Sequence, residues 1–236
     1  MPKEDVKFTR KELKEDELVT FSTKALKWLE QNRKPVLTTV ISVIVVVVLY
    51  YSISAFIKYR AEKASNEYIE ALEGLQPKSR SQDEMIPESP SRDEIKNAIS
   101  KLEAIYNKYG FTGVGKISLL KMAQLNYDIR DYDASLKYAK EFISKIDSND
   151  PLYIAGILLL ANINFARSDF NGVIENCEKI TNSSTNLLKD EALFISAKAL
   201  IKLNKKEEAK NKLKELVEKY QNSHLKNEAS EIIKTL

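Results

Sequence analysis

The 236-residue chain is 43% hydrophobic and 30% charged, with 37 basic and 34 acidic residues, one cysteine and one histidine. One thiol excludes an intrachain disulfide, and Cys177 with His224 cannot assemble a four-ligand zinc site. Nine basic and seven acidic residues precede position 36, and 28 and 27 follow position 57, so the main body is nearly neutral and carries no electrostatic footprint for nucleic acid.

Residues 1–35 form a charged leader. Within it Leu18, Phe21, Ala25, Trp28 and Leu29 share one helical face, as expected of a helix lying on a membrane surface or of a solvated extension of the segment that follows. From Val36 to Ile57 there are 22 consecutive uncharged residues, including the run Val43 to Leu49. At about 1.5 Å per residue a helix of that length crosses the hydrocarbon core. Tyr50, Tyr51 and Tyr59 near one end and Trp28 before the other are the amphipathic rings expected at the two interfaces. A buried strand or core helix is the alternative, but no second apolar run exists to cover it. The long charged leader and the poor cleavage site at Ser52-Ile53-Ser54-Ala55 favour an uncleaved signal anchor over a signal peptide. Lys24, Lys27, Arg33 and Lys34 slightly outnumber Lys58, Arg60 and Lys63, which predicts a cytoplasmic N-terminus in a single-pass inner-membrane protein. The C-terminal domain is then outside, in the periplasm if the cell has two membranes.

Residues 58–236 form the expected soluble domain. A helix continues from Tyr59 to Leu75, with Ala61, Ala64, Tyr68, Ala71, Leu72 and Leu75 at helical spacing. Residues 76–91 carry Pro77, Pro87 and Pro90 among polar residues, which predicts a mobile loop inside the first hairpin. Ser91 to Glu94 reads as a capping box, and its helix is expected to end at Gly110. Further helices are predicted near 114–129, 132–146, 151–167, 170–181, 187–203, 206–220 and 224–235, with Asp150 and Pro151 as a cap and first residue.

These helices come in pairs, and the pairs repeat. Laying Asp131-Tyr132 over Asp169-Phe170 and Lys205-Lys206 gives steps of 38 and 36 residues. The same offsets superpose Leu119, Ile157 and Leu193, and then Ala123, Ala161 and Ala197. On the second helices Ser135, Val173 and Ala209 coincide, as do Ala139, Cys177 and Leu213, and Phe142, Ile180 and Leu216. Small residues recurring at such a period are the signature of tetratricopeptide stacking. The expected fold is therefore all-α: one N-terminal transmembrane helix, then an α-solenoid of degenerate tetratricopeptide-type hairpins.

The segments Asn126 to Leu136 and Asn204 to Ala209 look like the turn between the two helices of such a repeat, without the usual glycine before it. The layout of charged leader, one span, immediately continuing helix, three to four degenerate hairpins and a closing helix after Tyr220-Gln221-Asn222-Ser223 resembles the YfgM-like family of ancillary translocon subunits. That resemblance covers almost the full chain. It implies a partner role beside the secretion channel and with periplasmic chaperones.

Gly110 to Lys116 fits the G-x-x-x-x-G-K pattern of a phosphate-binding loop. Its context argues otherwise: Ile117 stands where a hydroxyl should hold magnesium, and a helix precedes it instead of a strand. Gly110 as a helix stop, with Gly113 and Gly115 shaping a turn between repeats, accounts for the glycines. His224 has no acid or nucleophile pattern around it, and Cys177 falls on an apolar stripe, where a thiol is a small hydrophobe. No cofactor, metal or small-molecule substrate is implied.

What remains is a surface. The first helices of successive repeats line a concave groove in tetratricopeptide folds, and the offsets put Leu120, Gln124, Tyr127 and Asp128 there. They are followed by Leu158, Asn162 and Phe165, and then by Phe194, Lys198, Ile201 and Lys202. Rings and amides suit a peptide or protein segment. Some of these rings are equally suited to packing on a neighbouring helix. The expected function is that of a non-enzymatic, membrane-anchored scaffold for translocon subunits or envelope chaperones. The rivals are a tethered recruitment factor for cell-wall or division machinery and a nucleotide-dependent enzyme using the glycine loop.

The predicted orientation is open to direct measurement. In intact spheroplasts a membrane-impermeant thiol reagent should reach a cysteine placed at Ser89 and spare one placed at Ser22; the reverse pattern inverts the topology.

Overall fold

A computed structural model describes residues 10–76 and 89–236, and these residues are helical throughout, with no strand among them. Most of the predicted loop 76–91 and the Leu18 side chain lie outside the described residues. The chain divides into two compact units, 1–58 and 59–236.

In the first unit, helix α1 (Arg10–Gln31) meets the start of α2 (Arg33–Glu73), and the backbone ladder carries on through Asn32, whose N–H donates to Trp28 O at 2.9 Å. Pro35 is tolerated because it lies in the first turn of α2, where its missing N–H costs no intrahelical bond. From Leu37 to Ile57 the apolar side chains of α2 have no protein cover, and α2 is the one helix of the described residues long and apolar enough to cross a membrane. An apolar surface of this size is stable only in lipid or against another protein.

In the second unit, the C-terminal part of α2 is already the first helix of a hairpin. Its partner is α3 (Arg92–Tyr109), and Ala64 and Ala71 are buried with Ile95, Ala98, Leu102 and Ile105. Two side chains reinforce the contact. The Glu67 carboxylate accepts from Lys108 Nζ (2.8 Å) and Tyr109 Oη (2.7 Å), and the Arg60 guanidinium donates to the Lys108 carbonyl at the end of α3. These two hydrogen bonds, Lys108 first, hold the Glu67 carboxyl below its ordinary range.

Three further hairpins follow: α4 (Gly113–Asp128) with α5 (Tyr132–Lys145), α6 (Pro151–Ala166) with α7 (Phe170–Thr181), and α8 (Lys189–Lys202) with α9 (Lys206–Lys219). Helix α10 (Lys226–Thr235) covers the end through Ala229, Ile232 and Ile233. Every predicted helix boundary lies within two residues of these, apart from one reason for an ending. Gly110 has φ −57°, so α3 is not stopped by a left-handed glycine. The break comes from Thr112, whose Oγ1 donates to Tyr109 O (2.8 Å) and accepts from Gly115 N (3.1 Å), capping α4.

The repeat alignment is realised in the packing. Leu119, Ile157 and Leu193, the alanines 123, 161 and 197, and the three sets on the second helices are all 0–2% exposed. At the alanine positions the methyl group is fully buried. In the first of these hairpins Ser135 adds a buried link, its Oγ donating to Ala123 O at 2.7 Å.

The three hairpin turns share one backbone solution. Arg130, Ser168 and Asn204, at the repeat spacing, have φ of 63°, 63° and 59°. In each, the following N–H reaches back to the helix: Asp131 to Asn126 O (2.8 Å), Asp169 to Asn164 O (2.8 Å) and Lys205 to Leu200 O (2.9 Å). This is the double-bonded left-handed helix ending. Asp131 and Asp169 then cap the next helix, accepting from Ala134 N (3.1 Å) and Gly172 N (3.0 Å). The missing glycine thus leaves the conformation intact and is replaced by Arg, Ser and Asn, of which Asn tolerates it best.

Overpacking tests the alanine crossings. Ala161→Trp or Ala197→Trp should lower stability by about 1–3 kcal/mol in thermal or chemical unfolding; a wild-type melting curve for either variant would mean that the helices do not cross there.

Candidate functional site

The first helices α4, α6 and α8 are neighbours in space, α4 beside α6 and α6 beside α8, while α5, α7 and α9 pack behind them. The layer of first helices therefore has two sides, one against the second helices and one facing away. This geometry decides what each predicted lining residue can present.

Leu120, Leu158 and Phe194 do not present much. They are 6, 7 and 6% exposed, so they belong to the core and offer little ligand contact area. One turn further along, Gln124 and Lys198 are exposed and Asn162 is half-buried. The Asn162 amide donates to Leu158 O on its own helix (3.1 Å), which holds that side chain down. Asp128 and Lys202 are exposed at the ends of α4 and α8.

Tyr127 and Phe165 are half-buried, and each has a ring partner within its own hairpin. Tyr127 meets Tyr132 with ring centroids 5.6 Å apart, and Phe165 meets Phe170 at 5.5 Å. These pairs close the two turns at Arg130 and Ser168, so part of each ring is committed to the fold. Burial, followed by the neighbouring Tyr132 and Asp128, raises the Tyr127 phenol above its ordinary value, and it stays neutral at physiological pH. Tyr132 and Phe170 were legible as partners only through their position five residues beyond Tyr127 and Phe165 across a turn.

The structure brings Lys198 to two rings from successive repeats: its Nζ lies 5.9 Å from the Phe165 centroid and 5.4 Å from the Phe194 centroid. A cation over aromatic faces spanning α6 and α8 ties the two helices together on the outward side of the layer. The polar residues there also have a direction, with Asp128 at the α4 end and Lys198 and Lys202 at the α8 end. Between α5, α6 and α7 there is a concavity of about 560 Å³, bordered by Lys140, Asn164, Asp169, Glu175 and Lys179, which the sequence pattern does not announce.

The other candidates are accounted for structurally. In the glycine loop, a methyl group at Gly115 would meet Tyr109 O at 2.1 Å, so this glycine serves the close approach of α4 to the end of α3. Around Gly113 there is open space, so nothing in the packing requires glycine there. Cys177 is 1% exposed in the core, and burial pushes its thiol from 9.0 up to about 12. Among the described residues no cluster of His, Cys, Asp and Glu has the geometry of a metal site.

Stacked helical hairpins, alanines at the crossings, a common left-handed turn and one open face of first helices define a helical-repeat domain of the protein-binding kind. Residues 191–223, which cover nearly all of α8 and the whole of α9, match the tetratricopeptide repeat. Comparison with curated proteins finds no match.

The thiol supplies a test of the core. A raised thiol pKa stabilises the fold fully below the ordinary thiol range, and that contribution is lost as pH rises from 9.0 towards about 12. Wild-type melting temperature should therefore fall more steeply at alkaline pH than that of Cys177→Ala, and a thiol reagent should label Cys177 at neutral pH only after unfolding. Equal slopes and ready native labelling would place the thiol outside the core.

Proposed function

We propose that the chain is a single-span scaffold of the inner membrane, its N-terminus cytoplasmic and its repeats outside, that holds a protein partner in the groove of α4, α6 and α8. It acts without catalysis, and its partners are translocon subunits or an envelope chaperone. The observation that carries this reading is the outward side of the first helices, where Gln124, Asn162 and Lys198 stand at one repeat position on three adjacent helices. The match of 191–223 to the tetratricopeptide repeat supports a protein ligand, because that repeat is a protein-interaction module.

The groove suits one extended segment. Gln124 and Lys198 offer hydrogen bonds at one level, the half-buried faces of Tyr127 and Phe165 add apolar area, and the charge order favours a basic group near Asp128 and an acidic one near Lys198 and Lys202. Two apolar helices of the same chain, α2 and the almost wholly apolar α6, differ in what covers them. Only α2 from Leu37 to Ile57 is left bare. Membrane attachment and partner capture are thus assigned to different segments.

Exposed residues make the cleaner test, since Tyr127 and Phe165 also close turns. A Gln124→Ala/Lys198→Glu double variant should fold as wild type and capture membrane partners at least about fivefold less well, an anchor being worth more than 1 kcal/mol. The control is Lys214→Ala, exposed on α9. Undiminished capture by the folded groove variant would move recognition to the transmembrane helix.

A further inference from the structure

The concavity between α5, α6 and α7 lies wholly within the unit 59–236, and its cause is a change of side chains from one repeat to the next. At the step of 38 residues, Asn176 and Lys179 on α7 take the places of Tyr138 and Glu141 on α5. Those two reach across to α3. Tyr138 Oη donates to Glu103 (3.3 Å), and Glu141 accepts from Tyr106 Oη (2.6 Å). Two rings and two carboxylates thus span the step from α3 to α5. Between α5 and α7 the shorter asparagine and a lysine leave about 560 Å³ open, within the range of small-molecule sites.

The polar groups there are not used up by the fold. Asn176 is 8% exposed, and its carboxamide has one partner, Lys179 Nζ, which donates to Oδ1 at 3.4 Å. Its amide hydrogens meet no acceptor among the described residues. An amide buried to that degree is normally satisfied on both sides. The Asn164 side chain of α6 likewise makes no hydrogen bond among the described residues. It lies against Gly172, where a Cβ would come within 2.6 Å of its Nδ2, so the glycine leaves this amide its place.

Charge limits what can enter. Three basic and two acidic side chains border the concavity. Arg167 pairs with Asp133, Lys179 pairs with Glu175 (2.8 Å), and Asp169 Oδ1 accepts from Gly172 N (3.0 Å). Lys140 has no carboxylate partner among the described residues. One such cation with amide donors from two further helices suits an anion of single charge, whereas the two acids at the same rim disfavour a phosphate dianion. Half-buried Leu136, Ile143 and Tyr153 add apolar contact beside these donors.

We propose that this concavity is a binding site for a small organic acid, its carboxylate held by Lys140, Asn164 and Asn176 and its apolar body by Leu136, Ile143 and Tyr153. The site is separate from the groove of α4, α6 and α8, since Asn164 stands two residues beyond Asn162, roughly 200° around α6. It does not rest on the scaffold reading.

The test uses the full chain in phospholipid nanodiscs, with hexanoate and 3-phenylpropionate as probes and their amides as uncharged twins. Saturation-transfer NMR in matched nanodiscs of each variant cancels partition into lipid. At least one acid should bind wild type, its amide binding at least about fivefold less well, because hydrogen bonds to a charged group are the stronger ones. Lys140→Gln and Asn176→Leu should each weaken the acid to a similar extent. Lys140→Arg should retain it, and the groove variant Gln124→Ala/Lys198→Glu should bind it as wild type does. Circular dichroism checks each fold, and the exposed Lys140 decides the question should Asn176→Leu not fold. No binding of either acid, or equal binding by wild type and Lys140→Gln, overturns the proposal. Binding of an acetylated glutamate amide where both free acids fail overturns it too, because the ligand is then a protein side chain.

Discussion

The repeat domain depends on the close approach of helices at Ala123, Ala161 and Ala197. With only a methyl group at each crossing, the flanking Leu119, Ile157 and Leu193 reach the second helices and are sealed there by Phe142, Ile180 and Leu216. A hairpin of two such helices buries one face and leaves another apolar, so it has no stable existence alone; the next hairpin covers it. Helix α10 covers α9 with Ala229, Ile232 and Ile233 and turns a polar surface outward. At the other end the cover is α2, whose alanines 64 and 71 give α3 the same close approach.

That terminal role makes α2 unusual. The helix that carries the uncovered apolar run also supplies core residues to the first hairpin, with no Gly or Pro between Ile57 and Ala64. Arg60 and Glu67 fasten the helix to the carboxyl end of α3, Arg60 donating to the Lys108 carbonyl that the helix terminus leaves open and Glu67 accepting from the Lys108 and Tyr109 side chains. The ion pair of Glu67 with Lys108 is largely solvated and adds little by itself. The buried alanines and Tyr109 carry the contact.

The fold was legible because local and long-range signals agree. The offset of 38 and 36 residues fixed the pairing of helices, and caps such as Ser91-Glu94 and Asp150-Pro151 fixed their starts. The turns were harder to read, since a left-handed residue is normally announced by glycine. Here it is marked only by the recurrence of Arg130, Ser168 and Asn204 at the repeat spacing, and by the aspartates that follow two of them. At Gly110 the expected end of α3 is met, but with an ordinary helical φ in place of a left-handed one.

The groove was less legible than the fold, for a physical reason. Helices α5, α7 and α9 are amphipathic, so their buried and solvated faces separate by period alone. Helices α4, α6 and α8 lie between neighbours on either side and second helices behind, and Pro151–Ala166 is apolar almost all round. Periodicity in such a helix cannot say which apolar residue faces a neighbour and which faces out. Leu120, Leu158 and Phe194 therefore read as lining and are buried, and Tyr127 and Phe165 have faces already taken by Tyr132 and Phe170. Polar residues on these helices are the better guide, because a first helix surrounded on three sides can place Gln124 and Lys198 in water only on the fourth. Their coincidence at one repeat position locates the open side without reference to any apolar residue.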